Sequence, residues 1–204
     1  MLSFDDHVQP PLELRTDEFL LRPIVASDAE LDHEAVMESR DFLRHWEQST
    51  WPEDDFSVED NRADMRKLEQ RWADRSSFSY TMMNLDETVC FGCIYVNLPS
   101  APWFERAQIT REGSGDEATP WGDHDTVVSF WVRSSRLDDG LDGRLLHALD
   151  TWLAEQWGFE RVLFITNEQF TQQVTMYEDA GLQRRFRLAT KGNPGDELAY
   201  ASVG

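Results

Sequence analysis

The chain is 204 residues long, enough for one well-cored domain or a domain with an elaborated loop. With 19 Lys and Arg against 39 Asp and Glu its formal charge is −20, which excludes a general nucleic-acid binder, since that needs a basic footprint. No apolar run of about 18 residues and no basic-then-apolar N-terminal segment is present, so no membrane span or signal peptide is expected, and the expected location is cytoplasmic.

Residues 12–14 and 19–24 flank Arg-Thr-Asp-Glu and predict an opening strand or short hairpin ending at Pro23. Ser27 and Glu30 predict a capping box. The helix behind it carries Leu31, Ala35, Val36, Phe42, Leu43 and Trp46 on one face. From Trp46 to Phe56 the chain is broken by Pro52 and mixes aromatic with acidic residues. Ser57 and Asp60 open a second helix, in which Val58, Met65, Leu68 and Trp72 recur at helical spacing. Two strands follow, at 78–82 and 88–97, joined by a short turn at 84–87. Cys90 and Cys93 lie in the second. Three residues apart in a strand they are expected on opposite faces, as packed core thiols; neither a disulfide nor a metal site is predicted.

Residues 99–125 carry Pro99, Pro102, Gly113, Gly115, Pro120 and Gly122, and predict a long loop or short irregular hairpin inserted between two strands. It is either functional, as a lid over a binding groove, or a solvated insertion. Residues 126–167 then read as a buried strand, a glycine-bearing turn, an amphipathic helix and a second buried strand. That helix turns Leu145, Leu146, Leu149, Trp152, Leu153 and Trp157 toward a sheet, leaves His147 on its polar side and stops at Gly158. A helix at 169–180 shares Phe170, Val174 and Tyr177 on one face and ends at Gly181. Strands at 184–190 and 197–203 flank Lys-Gly-Asn-Pro-Gly-Asp, a turn signal. With no repeat and no linker, residues 1–204 are expected to form a single α/β domain.

This order resembles the GNAT superfamily of N-acetyltransferases across almost the whole chain. Leu14-Arg-Thr-Asp-Glu-Phe-Leu-Leu-Arg-Pro looks like the opening of its ribosomal-protein acetyltransferase branch. Met176-Tyr-Glu-Asp-Ala-Gly-Leu is similar to the family's Leu-Tyr-Glu-x-x-Gly-Phe, and Ser129-Phe-Trp-Val leads into a glycine-containing loop where the family keeps its cofactor. The resemblance implies an α/β (α+β) fold with a mixed, mostly antiparallel central sheet and helices on both faces. It also implies acetyl-CoA as cofactor and a primary amine as acceptor, on a small molecule or a protein N-terminus, and it is compatible with a homodimer.

Residue by residue, Trp131 and Val132 are implied to lie along the cofactor, with the Val132 backbone N–H donating to the acetyl carbonyl. Tyr177 matches the tyrosine that protonates the departing thiolate, and Asn167 a position that contacts the pantetheine arm. Leu137, Asp138, Asp139, Gly140, Leu141, Asp142, Gly143 and Arg144 stand where the family cradles the pyrophosphate on amides at a helix start. Of its three signature positions only Gly140 matches; Leu137 replaces an Arg or Gln, and Asp142 a small residue. At ~6 Å and an effective dielectric of about 20, each like-charge pair there costs roughly 3 kcal/mol before screening. Arg133, Arg136 and Arg144 are close enough in sequence to offset Asp138, Asp139 and Asp142.

No glutamate occupies 126–133, where some relatives place a base, so Glu47 or Glu53, acting through water, stands in. Trp46, Glu47, Trp51 and Phe56 suit a cationic amine through cation–π and charge contacts. Two further readings are a catalytically silent domain of this fold that binds a partner, and a cofactor-free module for cationic ligands.

Lysine is confined to Lys67 and Lys191, so arginine carries most of the positive charge. So large an acidic excess costs self-repulsion in dilute buffer and is tolerated once salt screens it, which points to a salt-adapted host. The melting temperature is therefore expected to rise from low to molar KCl; a flat or falling curve would exclude salt adaptation.

Overall fold

In the computed structural model residues 3–112 and 119–202 are described. The strands are β1 (Leu14–Arg15), β2 (Phe19–Pro23), β3 (Ser77–Asn84), β4 (Cys90–Asn97), β5 (Ala107–Arg111), β6 (Thr126–Val132), β7 (Val162–Asn167), β8 (Gln183–Thr190) and β9 (Glu197–Ala201). The helices are α1 (Ala29–Glu38), α2 (Arg40–Trp46), α3 (Val58–Ala73), α4 (Leu141–Glu155) and α5 (Thr171–Asp179). All nine strands join one sheet, in the order β1-β2-β3-β4-β6-β7-β9-β8-β5. Among the described strands only β6 and β7 pair in parallel, as their connection through α4 requires.

Alternation along β6 explains the two layers. Val128, Phe130 and Val132 pack with Leu145, Leu149 and Trp152 of α4 and Tyr177 of α5. Trp131, pointing the other way, packs with Ala35 and Val36 of α1, Leu43 of α2 and Met65 of α3. Helices thus cover both faces, as the resemblance implied.

The Ser57 box at the start of α3 forms in both directions: the Ser57 hydroxyl accepts from the Asp60 amide, and the Asp60 carboxylate from the Ser57 amide. The expected Ser27–Glu30 box does not form. Residues Ala26–Asp28 wind into a 3-10 turn instead, and α3 satisfies the entry, Glu69 accepting from the Ala26 amide and Arg62 donating to the Ala26 carbonyl. Asp28 turns to Arg22, at 2.6 Å. The single helix expected at 31–46 is two, α1 and α2. At the break the buried Ser39 hydroxyl accepts from the Ser134 amide beyond β6.

The predicted irregular insertion contains β5, an edge strand that only its pairing with β8 creates. Phe104 and Trp121, on either side of it, pack edge to face, and the Trp121 indole donates to the Pro99 carbonyl at 2.8 Å. Gly113 and Gly115, with the rest of 113–118, lie outside the described residues, as does Val203 of the last predicted strand.

Cys90 and Cys93 are free and buried, but not on opposite faces. A bulge at Phe91 shifts the β3–β4 register by one, and both thiols meet Asp32, at 3.7 and 3.2 Å. Burial raises the Asp32 pKa, and Asn61 donates to the same carboxyl at 2.9 Å. Gly92 makes the bulge feasible. Its φ is +149°, and a Cβ there would lie 2.1 Å from the Trp131 carbonyl oxygen. Gly92→Ala is expected to cost about 2 kcal/mol or more. Urea unfolding measures it; a loss under 0.5 kcal/mol would show that the strand end relaxes freely.

Candidate active site

Strands β6 and β7 pair only from Thr126 to Val128 and from Val162 to Phe164; beyond that they part. Arg133 donates its amide to the Phe91 carbonyl, so by antiparallel alternation the amides of Phe130 and Val132 face away from β4, into the gap. Gln173 of α5 reaches in and donates to the Phe130 carbonyl at 3.1 Å. Its other amide atom, Oε1, and the Tyr177 hydroxyl are buried without a hydrogen-bond partner. Tyr177 is fully buried between Phe130, Phe164 and Tyr200, and burial holds its pKa well above the usual phenol range.

The loop after β6 begins with a 3-10 turn, Ser134–Arg136, and passes Leu137, Asp138 and Asp139 to Gly140. Gly140 sits at the N-terminus of α4 with φ 74°, and no side chain caps the helix. Leu141 is buried in the core, and Leu137 packs against it. Asp138 is exposed. Asp142 is buried, with its Oδ1 accepting from the Gly143 amide and its Oδ2 from Gln172.

The arginines divide. Arg136 and Arg144 both reach Glu18, and both reach Asp139, at 2.7–3.3 Å. Bonding to Arg144 lowers the Glu18 pKa, and bonding to Arg136 lowers that of Asp139. Arg133, expected to offset the loop, turns instead to α1, where it binds Glu34 at 2.8 Å and Glu38 more closely. It holds the Glu38 pKa at about 2. Of the three cations, two flank the loop, and carboxylates already engage both.

On the α1–α3 side of the sheet a cavity of about 640 Å³ lies against the parted strands, with Ser129 of β6 and Ile165, Thr166 and Asn167 of β7 in its wall. Trp46, Glu47 and Trp51 line it. Phe56 does not; it stands behind Trp51, ring to edge at 5.7 Å. Glu53 is not in the lining and accepts the Thr50 hydroxyl. The Asn167 side chain, which also lines the cavity, donates to the carbonyls of His45 and Trp46 and accepts from the amides of Gln169 and Phe170. It pins the end of α2 to the end of β7.

Sequence reading missed Glu197. It opens β9 opposite Asn167 and lines the same cavity as Glu47. Burial first, and the nearby Glu47 second, raise its pKa to about 7. Solvent reaches Glu47 through the mouth, yet surrounding protein crowds it enough to raise its pKa as well. Only its place after a Pro-Gly turn, at the start of an apolar strand, was visible in the sequence, and neither marks a titrating group.

Does this site fit an acyl-CoA? The gap, the Val132 amide and the orphaned Gln173 and Tyr177 atoms suit an amide-bearing arm that is polar along its length. The uncapped start of α4 suits the diphosphate, with Asp139 and Asp142 as its acidic neighbours. The residues fit, with an acidic end where the family is commonly neutral or basic.

No family model matches the chain, and no curated protein does. Solved structures do. The ribosomal-protein-S5-alanine acetyltransferase of Vibrio fischeri is 14% identical, with a TM-score of 0.67 over 95% of this chain and 97% of its own. A ribosomal L7/L12 alpha-N-protein acetyltransferase in complex with coenzyme A is 16% identical, with a TM-score of 0.66 over 95% and 96%. The microcin C7 self-immunity acetyltransferase, in complex with acetyl-CoA and AMP, is 12% identical, with a TM-score of 0.69 over 98% and 100%. The chain has the GNAT acetyltransferase fold. The likeness to these structures extends over 95–98% of the chain.

The Glu197 carboxyl is expected to titrate at about 7 in carboxyl-detected NMR, and Glu47→Gln to lower that value part of the way, because burial remains. A Glu197 titration in the ordinary glutamate range would contradict the geometry.

Proposed function

We propose that the protein is an acetyl-CoA-dependent N-acetyltransferase that acetylates a primary amine, and that it works in the cytoplasm. The observation that carries this reading is the parted β6–β7 pair, with the Val132 amide in the gap and a carboxylate-bearing cavity against it. Structures of this fold with coenzyme A or acetyl-CoA bound support the choice of cofactor. Those that act on ribosomal-protein N-termini support an amine acceptor.

When bound, acetyl-CoA supplies a thioester carbonyl as the electrophile. The Val132 N–H would donate to that oxygen as negative charge develops on it, and Trp131 would fix the strand from the opposite face. Glu197 would take the proton of the incoming ammonium group, which must reach the carbonyl as a free amine. Trp46, Glu47 and Trp51, backed by Phe56, would hold the cation before it loses that proton. Tyr177 would return a proton to the departing thiolate. The amides at Gly140, Leu141, Asp142 and Gly143 would face the pyrophosphate, with Leu137 seating the turn, Asp138 and Asp139 beside it and Arg144 at its flank. Asn167 would shape the path of the arm by holding α2 against β7.

The engaged arginines and the buried Asp142 favour a second reading, a silent domain of the same fold. Calorimetric titration with acetyl-CoA separates the two. Affinity is expected to be about tenfold tighter in molar KCl than in dilute buffer, because salt screens the acidic loop. No binding in either condition would end the enzyme reading. The free-base requirement gives the pH dependence its sign: turnover should rise as pH passes through about 7, where Glu197 loses its proton. Glu197→Gln should remove that limb and about 100-fold of the rate. Tyr177→Phe should lower turnover too. Neither should change acetyl-CoA affinity much; unaltered turnover would strike that residue from the scheme.

A further inference from the structure

The sheet floor of the cavity carries a row of neutral polar side chains. Phe78 and Tyr80 of β3, Ile94 and Val96 of β4, and Val128 and Phe130 of β6 pack on the α4 side of the sheet, so the residues between them face the other way. Those residues are Ser79, Tyr95 and Ser129, each directly opposite the next in the strand register, with Ser77 opposite Asn97 beside them. All five line the cavity. Ser77, Ser79 and Asn97 are only 2%, 1% and 7% exposed, yet their side chains have no hydrogen-bond partner among the described residues, and neither has that of Ser129. The Tyr95 oxygen accepts from the Trp131 indole at 3.3 Å, which leaves its own proton to be donated into the cavity. Polar groups buried this far are normally paired. Strand spacing sets the members of the row about 4.8 Å apart.

The charges of the lining do not belong to this row. Asp64, Lys67 and Arg71 come from α3, with Asp64 and Lys67 paired at 2.7 Å, and Arg106 comes from the turn before β5; the three bases are exposed. Trp46 stands beside Tyr95, ring centroids 6.3 Å apart, and Trp51 and Trp103 also line the cavity. Neutral hydroxyls on the floor and indoles around it suit a molecule with C–H faces and O–H edges. Strands β3, β4 and β6 are interior to the sheet and the row crosses them, so an extended peptide finds no strand edge to pair with there. The cavity's volume of about 640 Å³ falls within the roughly 300–1,000 Å³ of small-molecule sites. Glu197 lies two strands beyond Ser129, across the parted pair. We infer that the acceptor is a small polyhydroxylated primary amine, an amino polyol or amino sugar, with its hydroxyls on Ser79, Tyr95 and Ser129 and its amine at Glu197. The placing of the amine rests on the acetyltransferase reading; the hydroxyl row does not need the reaction.

The test is binding to the full chain, read by tryptophan fluorescence, with matched amines that differ only in their hydroxyls. An open-chain pair is 1-amino-1-deoxysorbitol against hexylamine, and a ring pair is an aminocyclohexanepentol against cyclohexylamine. In at least one pair the hydroxylated member is expected to bind roughly tenfold tighter. Both members carry the same charge, so molar KCl should leave that ratio nearly unchanged. Ser79→Ala and Tyr95→Phe should each reduce the ratio about threefold, and together erase it, while the affinity for the plain amine stays as it was. That selectivity separates lost hydroxyl contacts from a damaged fold, which would weaken both members alike. Equal affinity within both pairs, no binding of any member, or a preference for the plain amines overturns the proposal. So does a hydroxyl preference that survives the double variant, or tighter binding of a tetra-alanine amide than of either hydroxylated amine, which would name a peptide instead. Hydroxyl preference without acetyl transfer would end the enzyme reading and leave this row as a polyol site; transfer without the preference would do the reverse.

Discussion

The structure depends on one broken pairing. Among the described strands β6 and β7 are the only parallel neighbours, and they hold together for three residue pairs before they separate. The separation leaves strand amides and carbonyls without their natural partners, which a folded chain tolerates only if something else meets them. Gln173 meets the Phe130 carbonyl. The end of β6 is secured from its other side. The Phe91 bulge, the Arg133 pair with Glu34 and Glu38, and the Ser134–Ser39 hydrogen bond all fasten it to β4 and α1. The β7 end is fastened through Asn167 to α2. Two strand ends, each tied away from the other, keep the gap open without needing a ligand to hold it.

The same ties explain the electrostatics. A chain with twice as many acids as bases must ration its arginines, and most serve to join elements distant in sequence. Arg187 alone gathers Glu112, Glu168 and Asp196. The loop arginines are used in this way as well, Arg136 and Arg144 drawing Glu18 from the β1–β2 turn onto the start of α4. This fixes the loop but leaves, among the described residues, no unpaired cation beside Gly140. Any anion there must rely on backbone amides, which salt screens less than it screens the repulsion from exposed Asp139. The acidic loop is therefore the less costly in salt, the condition that favours the chain as a whole.

Much of the architecture was legible because it follows from periodicity and caps. Ser57 with Asp60, the β3–β4 turn, α4 with its leucine face and the Tyr177 helix all stand where spacing placed them. What escaped depends on partners distant in the chain. β5 exists through β8, the Ser27–Glu30 box is displaced by Glu69 and Arg62, and the α1–α2 break answers to Ser134. Cys90 and Cys93 were assigned opposite faces by counting residues, and a single bulged residue reversed that. The site divided in the same way. Trp46, Glu47 and Trp51, singled out by composition, line the cavity, whereas Glu197 acquires its raised pKa only when folding half-buries it near Glu47.

That pair shows why a strongly negative protein can still hold a glutamate of raised pKa. Surface carboxylates at −20 do little to one another through water and salt, so total charge alone would leave every glutamate with an ordinary pKa. Glu197 departs because it is half-buried, with a second carboxylate close by and, among the described residues, no arginine or lysine paired with either. Lys67, Arg71 and Arg106 line the same cavity, and none of them pairs with Glu197 among the described residues. Moving one of them next to Glu197 would stabilise the carboxylate and restore an ordinary acid, too weak a base to take a proton from an ammonium group. The lack of such a pairing among the described residues is thus a condition for the raised pKa of Glu197.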